Sequence, residues 1–63
     1  MSDKPTVKLT RTNGNVFLII YRVIRTLKNA GQNDKARQFE ALAFASPSYD
    51  AVLRLVNDYC EIS

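Results

Sequence analysis

The side chains able to do chemistry in this chain of 63 residues are few: six carboxylates (Asp3, Asp34, Glu40, Asp50, Asp58 and Glu61), one thiol at Cys60, and no histidine. Without histidine, Ser-His and Cys-His nucleophile pairs cannot be assembled, and the usual general base near neutral pH is missing. One cysteine cannot form an intrachain disulfide or a thiolate metal cluster, and a mixed Cys/His zinc site lacks its other ligands. The two glycines, Gly14 and Gly31, stand too far apart to write a phosphate loop or a dinucleotide fingerprint. A chain this short also has little volume for a substrate pocket.

Three local arrangements still invite a functional reading. Tyr49-Asp50 places a hydroxyl beside a carboxylate, which could bind a ligand or relay a proton. The structural alternative is preferred: Asp50 stabilises a helix start and Tyr49 packs as its first core residue. Gly14-Asn15 ahead of a helix could hold an anion on backbone N–H groups, but an ordinary turn and cap need the same residues. Cys60 lies on an apolar stripe and reads as a small buried hydrophobe, because Tyr59 and Glu61 give it no positive neighbour. The residues therefore predict no enzyme, no cofactor and no metal.

Charge is the next candidate. The net charge is +3 and the isoelectric point is near 9.4. Lys4, Lys8, Arg11, Arg22, Arg25 and Lys28 crowd the first half against Asp3 alone, whereas the other five acids outnumber Lys35, Arg37 and Arg54 in the second. A basic half is the electrostatic footprint of a nucleic-acid binder, and equally of a surface that docks an acidic protein. The second and third helices described below form a helix–turn–helix in the loose sense only. Asp50 near the start of the would-be recognition helix opposes a phosphate, and the turn lacks a glycine.

Apolar content of 46% and charged content of 24% place the chain among ordinary globular domains, and its length allows a single small one, residues 1–63. The longest apolar run, Val16 to Tyr21, is far too short to span a membrane. Met1-Ser2-Asp3-Lys4-Pro5 lacks the apolar stretch of a secretory signal, so a cytoplasmic location without membrane contact is expected. Strict alternation over Thr6 to Thr10, with Val7 and Leu9 on one side, predicts a short strand opened by Pro5. Asn13-Gly14 supplies a turn that leads either into a hairpin strand over Val16 to Tyr21 or into a helix. The helix over about 15–30 is preferred: Val16, Phe17, Ile20, Val23, Ile24 and Leu27 share a face, with Asn15 as its cap and Gly31 as its stop.

A second helix opens at Asn33, turns Ala36, Phe39, Leu42 and Ala43 inward, and ends before Pro47. A third is capped by Ser46 or by Ser48 and runs through Tyr49, Val52, Leu53, Val56, Tyr59 and Cys60 at helical spacing. Glu61-Ile62-Ser63 could extend and pair beside Val7 and Leu9. The expected fold is α+β and mainly α: a short N-terminal strand, three helices, and an optional short C-terminal strand pairing with the first.

In the same order, Val7-x-Leu9, Gly14-Asn15-Val16-Phe17, Ala30-Gly31, Phe39, Tyr49-Asp50 and Tyr59 form a pattern that spans nearly the whole chain. It resembles that of small bacterial and phage-type proteins of unknown function, about 60 residues long, departing from it at Asn13 and at Pro47-Ser48. The resemblance implies a fold lineage and no activity.

Two apolar residues fall off the core faces. Leu18 shares an i, i+4, i+7 stripe with Arg22 and Arg25, and Phe44 lies away from Phe39 and Ala43. One stray apolar side chain is ordinary; two large ones on so small a surface suggest a partner or a second copy. The expected function is non-enzymatic protein binding, with self-association as a dimer or contact with another protein through Leu18, Arg22, Arg25 and Phe44. The alternative is a nucleic-acid accessory role through Lys8, Arg11, Arg22, Arg25 and Lys28.

Overall fold

The computed structural model describes residues 4–9 and 14–62. Its elements run β1 (Thr6–Val7), α1 (Val16–Asn29), α2 (Asn33–Phe44), α3 (Tyr49–Tyr59) and β2 (Glu61–Ile62). The fold is α+β and mainly α, and β1 pairs in parallel with β2, Thr6 opposite Glu61 and Val7 opposite Ile62. The strand, Thr6–Val7, is shorter than the alternation suggests. Alternation nonetheless persists: Val7 is buried and Leu9 half-buried, while Thr6 and Lys8 are exposed. Thr10 and Asn13 lie outside the described residues, as does Ser63.

Each helix end has a local cause. The side-chain oxygen of Asn15 accepts from the N–H groups of Phe17 and Leu18, satisfying donors that the first turn leaves without a helical partner. This cap, continued by the apolar stripe, selects the helix over the hairpin. At the other end Gly31 adopts φ +78°, its N–H donates to the Lys28 carbonyl, and that of Gln32 donates to Leu27. That pair of bonds is the Schellman stop, and its left-handed residue favours glycine. Asn33 is the first helical residue of α2, with Gln32 in the cap position and Asp34 in the first turn. Of the two candidate caps for α3, Ser48 takes the role, accepting from the Ala51 N–H at 3.2 Å. Ser46 instead donates its hydroxyl to the Leu42 carbonyl at 2.9 Å and closes α2.

One cluster forms the core: Val7, Ile19, Ile20, Val23, Leu27, Ala36, Phe39, Ala43, Val52, Val56 and Cys60. Phe39 is its largest member and meets Tyr59 edge-on, ring centroids 5.6 Å apart. The buried arc of α1 runs from Ile19 through Val23 and Leu27 to Ile20, because this helix packs on β1 as well as on α2 and α3. That arc corrects the sequence reading at one flank, since Ile19 is buried and Phe17 is not. Leu42 and Tyr49, expected inside, are also exposed.

Candidate functional site

Three of the exposed large side chains gather at one place. Phe17 is 67% exposed, Phe44 59% and Tyr49 41%, although three different helices supply them. The chain brings together the start of α1, the end of α2 and the start of α3, and the three side chains line one open groove of about 470 Å³. Phe17 and Phe44 touch, with centroids 6.3 Å apart and planes tilted by 35°. Ile20, Ala43 and Val52 form the floor, continuous with the core, and Ser46 and Ser48 add two hydroxyls at the rim. Both hydroxyls are engaged with backbone, Ser46 as a donor and Ser48 as an acceptor. The groove therefore offers apolar and aromatic surface, suited to packing another apolar face.

The four residues expected to form one contact separate into two surfaces. Phe44 belongs to the groove, where Phe17 and Tyr49 join it. Leu18 and Arg25 lie on the exposed outer face of α1, and Leu18 does not line the groove. Arg22, half-buried, reaches back so that its guanidinium donates to the Lys8 carbonyl at 3.1 Å, tying α1 to the segment after β1. Of the remaining cations in the basic set, Lys8 and Lys28 are exposed and Arg11 lies outside the described residues. Tyr21 is 57% exposed on the same outer face.

The other chemical candidates resolve locally. Asn15 covers the N–H groups that an anion at the start of α1 would use. Asp50 sits exposed in the first turn of α3, where a negative charge suits the helix dipole. Cys60 is buried, and burial pushes its thiol pKa above the ordinary value while the charge of Lys4 pulls weakly the other way. Sequence neighbours gave no hint of that cation. Lys4 arrives from ahead of β1 and donates to the Asn57 carbonyl at 3.0 Å, at the end of α3. No group of three metal-capable side chains gathers among the described residues, and no described helix is long and apolar enough to cross a membrane. No protein family, curated protein or solved structure matches the chain.

Sequence reasoning missed Phe17 and Tyr49 as surface residues. Both sit on apolar stripes, and a stripe tells which residues share a face without telling how far the neighbouring helix covers it.

Proposed function

We propose that this chain is a non-enzymatic protein-binding module that self-associates, forming a dimer through the aromatic groove. The observation that supports this is the convergence of Phe17, Phe44 and Tyr49, exposed yet adjacent, from three helices onto one apolar surface. A domain of this size draws limited stability from its own core, and burying such a surface against a second copy adds stability that grows with concentration. A cytoplasmic setting fits the single buried, unpaired thiol. A dilution series followed by NMR tests the groove: aromatic resonances of Phe17, Phe44 and Tyr49 should shift with concentration while those of Phe39 stay fixed. Concentration-independent groove resonances would remove its support.

Exposed Tyr21, one turn before Arg25, supports a second reading in which α1 stacks a base and neutralises phosphates. Lys8, Arg11, Arg22, Arg25 and Lys28 would then set a log-linear fall of affinity with salt, roughly 0.7 to 0.9 in slope per phosphate contacted.

A further inference from the structure

We propose that the outer face of α1 is a second docking surface, separate from the aromatic groove, and that its occupant is an acidic amphipathic helix of a partner protein. This adds a partner class to the protein-binding reading but uses different residues, so either can fail without the other. Leu18, Tyr21, Arg25 and Lys28 follow i, i+3, i+7, i+10, which at about 100° per residue puts them within an arc of about 80°. All four are exposed, and none lines the groove. The strip is ordered along the helix, apolar at its start and cationic at its end.

Charge complementarity names the occupant. From Val16 to Asn29, α1 carries Arg22, Arg25 and Lys28 and not one carboxylate. A helix face built only for water gains from opposite charges one turn apart, and this one has no such pair. Lys28 suits the negative end of the helix dipole, but Arg25 lies a turn further in, beside Leu18 and Tyr21. An apolar row flanked by carboxylates satisfies both halves of the strip, in the manner of a helix laid along a groove or face.

The acidic helices α2 and α3 of a second copy supply no such row. Asp50 and Asp58 on α3 are interrupted by Arg54 one turn from each, and Asp34 and Glu40 on α2 are interspersed with Lys35 and Arg37. Nucleic acid is the weaker match as well. Arg22 is turned to the Lys8 carbonyl and Lys4 to Asn57, while the strip opens on an apolar residue, Leu18.

The test is fluorescence anisotropy with a labelled synthetic peptide of about sixteen residues, Leu at i, i+3, i+4 and i+7 and Glu on both flanks. A Gln-for-Glu version and a single-stranded oligonucleotide serve as comparisons, at about 150 mM salt. The Glu peptide should bind best. Arg25→Glu and Leu18→Glu should each weaken it by about tenfold or more, and Arg25→Lys should retain most of the affinity. Circular dichroism of each variant should stay helical, and sedimentation of Arg25→Glu should match the unmodified chain. Failure of the Glu peptide to bind at high micromolar concentration would overturn the proposal. So would equal binding of the Gln version, tighter binding of the oligonucleotide, or a change of oligomeric state in Arg25→Glu, which would assign the strip to the self-interface.

Discussion

Replacing Phe44 with glutamate strikes the groove while sparing the core. Phe44 keeps 59% of its surface exposed, and an aromatic side chain carries roughly 200 Å², so about 120 Å² per copy remains to be buried on association. At about 25 cal/mol per Å² this is worth about 3 kcal/mol, or a factor of about one hundred in the association constant. The figure takes that surface as fully covered, so about one hundredfold is the expected loss, and a buried carboxylate adds its own cost. The folded subunit loses less: the contact with Phe17, about 1 kcal/mol, and a comparable penalty for a negative charge at the end of α2. A domain of this length is stable by roughly 3–9 kcal/mol, so the variant should remain folded. Phe44→Ser avoids the charge and should weaken association to a similar degree. Sedimentation velocity reads the association, and a thermal melt by circular dichroism reads the fold. An unchanged association constant in both folded variants would refute the assignment of the groove.

Cys60→Ala should cost about 1 kcal/mol by leaving a small cavity, and slow alkylation of the native thiol at neutral pH should confirm its burial. Because the folded thiol has the raised pKa, its contribution to stability is complete below the pKa of the thiol in the unfolded chain. It is lost as pH rises from there, since the unfolded chain ionises first, and denaturant titrations should show that alkaline loss in the native chain but not in Cys60→Ala. Asn15→Ala should destabilise the fold by about 1 kcal/mol by freeing the N–H groups of Phe17 and Leu18, measured by urea unfolding. Oligonucleotides titrated at about 150 mM salt should bind weakly and without sequence preference. Tight binding there, abolished by Arg22→Ala with Arg25→Ala, would favour the nucleic-acid reading.

The elements were legible because each carries a local signal: Asn15 and Ser48 as caps, Gly31 as a stop, and apolar spacing between them. The site was only half legible. Phe44 stood out because it breaks the stripe of its own helix. Phe17 sits at the rim of its stripe and Tyr49 at the N-terminal end of its own, and their exposure depends on where α1, α2 and α3 meet, which no single helix encodes. Ile19 shows the converse, an apolar residue off the expected face that the packing of α1 against β1 and two helices draws inside. The engagement of Arg22 with the Lys8 carbonyl was likewise hidden, since fourteen positions separate the two residues in the chain.

Sedimentation equilibrium of the unmodified chain, from low to high micromolar concentration, tests self-association most directly. The average mass should rise with concentration from the 7.1 kDa monomer toward twice that value. A mass that stays monomeric across the whole range would contradict self-association.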